Sequence, residues 1–156
     1  MEAIVVKSDY ELRRGKPIPS KNHAFTQGNL YFQLRSNYPN FQILPEISLQ
    51  LENGEKVPDL AIFENIKFTP GNDEIRVTQM PIGVIEILSP KQRLGDLLAK
   101  AHTYFSNGVQ SYWLVLPDLK SIYVFSTASE SEVYTHKDIL KGEELNIELN
   151  LKGIFG

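Results

Sequence analysis

Cysteine is absent from the 156 residues. That one absence excludes disulfides, thiolate zinc sites and a cysteine nucleophile. It agrees with a reducing compartment, and the expectation is a cytoplasmic protein. No apolar run approaches the roughly 20 residues a membrane helix needs. Residues 1–7 lack a positive region leading into a long apolar stretch, so no signal peptide is expected. An excess of basic charge is also missing. The 16 Lys and Arg face 19 Asp and Glu, for a formal net charge of -3, which excludes a strongly basic nucleic-acid coat. There is no glycine-rich phosphate loop of the Walker type, no repeat and no linker. The length suits a single domain over residues 1–156.

What is present is unevenly placed. Lys7, Arg13, Arg14, Lys16 and Lys21 lie close in sequence, opposed by Asp9 and Glu11. Lys91 and Arg93 form a smaller group. Such patches can meet phosphates, although most surface charges are simply solvated.

The pattern predicts a helix from about Lys21 to Asn37, capped by Ser20, with Ala24, Tyr31 and Leu34 on its apolar side beside Phe25 and Phe32. Phe41 to Leu51 alternates as a strand, with Ile47, Leu49 and Leu51 on one face. Asn53-Gly54 marks a turn. Residues 57–63 and 82–88 read as further strands, separated by a loop over 64–81. A second helix from about Lys91 to Asn107 carries Leu94, Leu97, Leu98, Ala101 and Phe105 at the spacing of one buried face. Strands follow at Ser111 to Leu116 and Ser121 to Ser126, then edge strands at Glu132 to Thr135 and Glu144 to Leu151. The fold expected is α/β, a mixed α+β sheet with helices packed on it. The 82–88 strand, helix and 111–116 strand form a candidate parallel βαβ crossover.

Two of these strands each carry one acid among apolar neighbours, Asp59 and Glu86. A buried carboxylate costs several kcal/mol, on the order of other buried ions, unless it is paired, hydrogen-bonded or bound to metal. If the strands are neighbours, the two acids can sit about 5 Å apart. They then repel unless one is protonated or a cation lies between them. Oxygen-only ligation of that kind suits Mg²⁺ or Mn²⁺. On the second helix Arg93, Asp96, Lys100 and Tyr104 share one flank of the apolar face. Lys100 can reach along the sheet toward the acids, although the helix pattern alone favours an Asp96–Lys100 surface pair.

Taken in order, Pro58-Asp59, Glu86-Ile87-Leu88-Ser89-Pro90, Asp96, Lys100, Tyr104, Gly108-Val109 and Tyr112-Trp113-Leu114-Val115 resemble the Uma-two family. That family comprises restriction-endonuclease-like proteins of the PD-(D/E)xK nuclease superfamily, and the resemblance runs from about Gly15 and His23 to Phe125. It implies a restriction-endonuclease-like αβββαβ core, here with additional C-terminal strands. It also implies hydrolysis of DNA phosphodiesters by metal-activated water, with Asp59 and Glu86 as ligands of Mg²⁺ or Mn²⁺. The superfamily lysine two residues after the glutamate is Leu88 here, and Lys100 on the helix is its natural replacement. The acid usual near the end of the 111–116 strand is Leu116 here, with Asp118 displaced by two.

The site expected from sequence is therefore Asp59, Glu86 and Lys100. Glu46, His23, Arg93, Asp96 and Tyr104 are supporting candidates: Glu46 as a third acid, His23 facing the site, Tyr104 near a phosphate or at the core border. Cutting a duplex requires two sites, so a homodimer is expected. Two rivals stand beside this reading. One is a nuclease-fold module that binds nucleic acid or protein without cutting. The other is an α+β domain whose acids form internal ion pairs with Lys100 and Arg93.

Overall fold

The computed structural model describes residues 6, 7 and 9–156; residues 1–5 and 8, with the side chains of Tyr10, Arg13 and Arg14, lie outside the described residues. A short helix α1 (Asp9–Arg14) is followed by α2 (Lys21–Asn37). Ser20 caps α2, its side chain accepting from the His23 N–H at 3.2 Å. Loss of such a cap costs about 1 kcal/mol. Ser20→Ala is expected to lower unfolding free energy by that amount in urea denaturation, with the slope unchanged.

The burial of α2 corrects the expected apolar side. Its inward residues are His23, Thr26, Leu30 and Leu34. Ala24, Phe25, Tyr31 and Phe32 are exposed. Of the two polar residues that turn inward, His23 reaches Asp59, and Thr26 donates its hydroxyl back to the Asn22 carbonyl at 2.8 Å.

A six-stranded sheet forms the centre. Its strands are β1 (Gln42–Pro45), β4 (Leu60–Phe63), β5 (Gly83–Ile87), β6 (Ser111–Leu116), β7 (Ser121–Phe125) and β8 (Ser131–Thr135), neighbours in that order. β5 and β6 run parallel and every other neighbouring pair is antiparallel. Helix α3 (Leu94–Ser106) connects the parallel pair. The expected mixed α/β fold with an αβββαβ core is therefore present, as α2, β1, β4, β5, α3 and β6.

Two details of the sequence reading change. The expected strand 41–51 is broken, because Glu46 adopts φ 58°, a left-handed conformation that ends β1. The chain then forms a separate hairpin of β2 (Leu49–Leu51) and β3 (Gly54–Lys56), turned at the expected Asn53-Gly54. At the C-terminus, β9 (Ile139–Gly142), which had no clear sequence signal, pairs with β10 (Ile147–Asn150) off the main sheet.

Strand alternation divides the core into two layers. Leu60, Ile62, Ile85, Ile87, Trp113 and Val115 pack with Leu30 and Leu34 of α2 and with the β9–β10 hairpin. Ala61, Phe63, Val84, Tyr112 and Leu114 pack with Leu97, Ala101 and Tyr104 of α3. Helix α3 is rotated relative to its expected face. Leu94 and Leu98 remain 42% and 43% exposed, while Tyr104 is fully buried against Tyr112. The rotation brings the side of α3 that carries Lys100 toward the sheet.

Candidate active site

Asp59 stands one residue before β4, not within a strand running 57–63 as the apolar run predicted. Pro58 and Asp59 are already buried. The β4–β5 register, with Leu60 opposite Ile85, carried back one residue sets Asp59 across from Glu86. By alternation Asp59 lies on the side of Ala61 and Phe63, and Glu86 on the side of Val84. Both acids therefore face the α3 layer.

The two side chains lock to each other's backbone. The Asp59 N–H donates to Glu86 Oε1 at 3.2 Å, and the Ile87 N–H donates to Asp59 Oδ2 at 2.7 Å. One oxygen of each acid is thereby fixed. The other oxygen of each meets an ammonium. Lys100 Nζ lies 2.6 Å from Glu86 Oε2, and Lys16 Nζ lies 2.5 Å from Asp59 Oδ1. His23 Nε2 reaches the same Asp59 oxygen at 3.1 Å. The Gln27 amide donates to the Asp59 carbonyl at 3.1 Å.

Electrostatics splits the pair. Burial pushes the Asp59 carboxyl up, but the His23 hydrogen bond and the Lys16 charge outweigh it and hold it below the usual range. For Glu86, burial and the neighbouring Asp59 charge win over Lys100 and Lys16, and its carboxyl is raised. Lys16 shows the reciprocal effect. Burial opposes its charge, yet Asp59, Glu86 and Glu46 together hold the ammonium above its ordinary range. Asp59 is thus the firmly ionised member, and Glu86 the one on which a proton is more readily placed.

The donor chemistry fits a hard divalent ion. Two fixed carboxylates present one oxygen each to a cation, and each already holds one of the chain's own ammonium groups. Among the described residues, no cluster of three or more His, Asp or Glu side chains is arranged to enclose a metal. An ion here would keep water and substrate oxygens in its remaining positions, as Mg²⁺ commonly does.

Of the supporting candidates, His23 is brought to the acids. Glu46 is brought near them: its N–H donates to the Asp59 carbonyl at 3.2 Å, and Lys16 Nζ lies 3.7 Å from its Oε1. Tyr104 is sealed in the core, its hydroxyl without a partner among the described residues, and burial with the Glu86 charge raises it well above the usual tyrosine range. Of its two expected places, this is the one at the core and not the one near a phosphate. Arg93 occupies the exposed position before α3, and Asp96 lies exposed in the first turn. Neither joins the acids. Of the two internal ion pairs in the rival α+β reading, the one with Lys100 is present and the one with Arg93 is replaced by Lys16.

Sequence reasoning did not select Lys16 or Gln27. Lys16 was visible only as one member of a basic cluster. Its distance of 43 positions from Asp59 is a contact that no local spacing encodes.

A family model described as "putative restriction endonuclease", Uma2, matches residues 6–154. The chain belongs to the Uma2 family. Among solved structures, this Uma2 chain resembles a putative nuclease from Anabaena variabilis ATCC 29413 at 22% identity and a TM-score of 0.77, covering 89% of this chain and 83% of that one. At that identity the likeness establishes the shared fold. A DrdV–DNA complex solved by cryo-EM matches at 11% identity and a TM-score of 0.46, over 81% of this chain and 11% of that one, too slight to bear on function. No curated protein matches the sequence. Among the described residues, no helix is long and apolar enough to cross a membrane.

Proposed function

We propose that this Uma2 chain is a divalent-metal-dependent DNA endonuclease. The observation that carries the reading is the acid pair, two buried carboxylates fixed across β4 and β5 with the Lys100 ammonium 2.6 Å from one of them. Asp59 and Glu86 would hold Mg²⁺ or Mn²⁺, which when bound lowers the pKa of a water and polarises a phosphoryl oxygen. His23, Gln27 and the Ile87 N–H fix Asp59, so the ligand geometry exists before substrate arrives. Lys100 approaches from the helix side. It orients the attacking water, or neutralises charge that develops on the phosphate. Its place on α3 supplies the lysine that is missing at Leu88. A homodimer would present two such sites to the two strands of a duplex.

The test is cleavage of supercoiled plasmid DNA with Mg²⁺ or Mn²⁺, by wild type and by Glu86→Gln. Wild type is expected to nick and linearise the plasmid, to stop in EDTA, and to exceed the variant by at least about a hundredfold, the scale of losing one electrostatic group at a reacting centre. Equal activity in the two proteins would remove Glu86 from the site.

A second reading is a nuclease-fold module that binds nucleic acid without cutting it. The observation in its favour is the closure of the pair: Asp59 and Glu86 are each 2% exposed, and both outward oxygens hold lysines. DNA binding that persists without any metal-dependent cleavage would select it.

A further inference from the structure

Lys16 is held in place by the chain around it. Gly15, at φ 67°, ends α1, its N–H donating to the Glu11 carbonyl at 2.9 Å. Pro17 and Pro19 follow, which biases residues 16 and 18 toward extended backbone. Ser20 then caps α2. The result is a short strap between two helices, with the Glu11 carboxylate accepting from the Ile18 N–H at 3.3 Å. The strap delivers the Lys16 side chain, 8% exposed, to Asp59 Oδ1.

We infer that Lys16 is a built-in counter-ion of the metal site: its ammonium occupies the Asp59 oxygen that a divalent cation would take, and the cation loads by displacing it. This rests on the metal-site reading above. The physical case is one of shared space. A cation at 2.0–2.1 Å from Oδ1 and an ammonium at 2.5 Å from the same oxygen lie at most about 4.6 Å apart. Charges of +1 and +2 at that range, in a buried site with little screening, repel strongly. Lys16 has somewhere to go. The Val57 carbonyl already accepts from its Nζ at 3.1 Å, and Glu46 Oε1 lies 3.7 Å away. Lys100 holds Glu86 Oε2 at 2.6 Å in the same way, but it is carried by the regular helix α3 rather than by a short strap. Lys16 is therefore a positioning residue that sets the affinity for metal, and the strap is the element that loosens on loading.

Linkage makes this reciprocal: if Lys16 weakens metal binding, metal weakens the Lys16 contact by the same factor. Mn²⁺ affinity is measured by calorimetry for wild type, Lys16→Met, Lys16→Arg and Lys21→Met. Lys21 is exposed, so its variant removes the same formal charge without touching Asp59. Lys16→Met is expected to bind roughly tenfold to a hundredfold tighter than wild type, the range of typical coupling. Lys16→Arg and Lys21→Met are expected to stay within about threefold, a small fraction of that range. On wild type alone, hydrogen exchange is expected to speed up over residues 15–20 when Mg²⁺ is added. Equal or weaker Mn²⁺ binding by Lys16→Met, or unchanged exchange in the metal-loaded wild type, would overturn the competition and leave the metal site standing. Absence of Mn²⁺ binding at millimolar concentration in all four proteins would overturn the metal site itself, and this inference with it.

Discussion

Asp59→Ala is expected to lower the stability of the fold by about 3–5 kcal/mol, the scale of removing one partner from a buried ion pair, and to abolish metal-dependent cleavage. The truncation leaves the Lys16 ammonium, 8% exposed, without its closest acid. It also strips the Ile87 N–H and His23 Nε2 of their acceptor. Loss of activity in this variant alone would therefore mix chemistry with unfolding. Asp59→Asn separates the two, because its amide oxygen can still accept from the Ile87 N–H while the charge is gone. Its stability is expected between that of wild type and the alanine variant, with cleavage equally lost. The stability deficit of Asp59→Ala carries a pH signature. The Asp59 carboxyl is depressed in the fold, so its contribution is present above the ordinary value of 3.8 and is lost as pH falls through the lower folded value. Urea titrations at pH 7 and pH 3 are expected to show the gap between wild type and Asp59→Ala narrowing at the lower pH. A gap that stays constant would assign the stabilisation to packing rather than charge.

Lys100→Met is expected to reduce the cleavage rate by about a hundredfold to a thousandfold, the range for losing one preorganised electrostatic group. Because Lys100 holds an oxygen of Glu86, its loss is expected to change metal affinity as well, so the effect on kcat is measured at saturating metal. The variant has a second effect on stability. Burial and Asp59 already raise the Glu86 carboxyl, and Lys100 is the largest influence lowering it. Removing Lys100 raises it further. A carboxyl raised in the fold weakens stability as pH climbs from its ordinary value, 4.5, through the folded value. The destabilisation of Lys100→Met is therefore expected to be larger at pH 7 than at pH 4. A thermal melt series across that range measures it, and a larger loss at pH 4 would contradict the assigned direction.

The parts of this fold that were legible in the sequence are those written in local pattern. The Ser20 cap, helix α2 from Lys21 to Asn37, the Asn53-Gly54 turn and strand β6 each rest on short-range chemistry, and the structure places them where the pattern does. The errors share a cause. The pattern puts Ala24, Tyr31 and Leu34 on the apolar face of α2; Leu34 is buried, yet the helix also buries His23 and Thr26 and leaves Phe25 58% exposed and Phe32 66% exposed. Periodicity assumes that inward means apolar, and the first turn of α2 faces a charged site. The same assumption puts Leu94, Leu97, Leu98, Ala101 and Phe105 on the buried face of α3; Leu97 and Ala101 are buried, but Leu94 and Leu98 stay exposed and Tyr104 fills the core. The run 41–51 alternates through Glu46 as one strand, because alternation does not register a single left-handed residue.

The site divides in the same way. Asp59 and Glu86 stand out by themselves, because charge in an apolar run is costly, whereas Lys100 takes its role from the family resemblance, its helix position alone favouring a surface pair with Asp96. Their residue types and order are properties of the sequence alone. Which partners each would meet was decided by tertiary structure. The β4–β5 register sets the acids across from each other, the rotation of α3 turns Lys100 toward Glu86, and the strap after α1 carries Lys16 across 43 positions to Asp59. The physical reason is the range of the forces involved. Burial cost, capping and periodicity act on neighbours in sequence, whereas electrostatic pairing acts on neighbours in space.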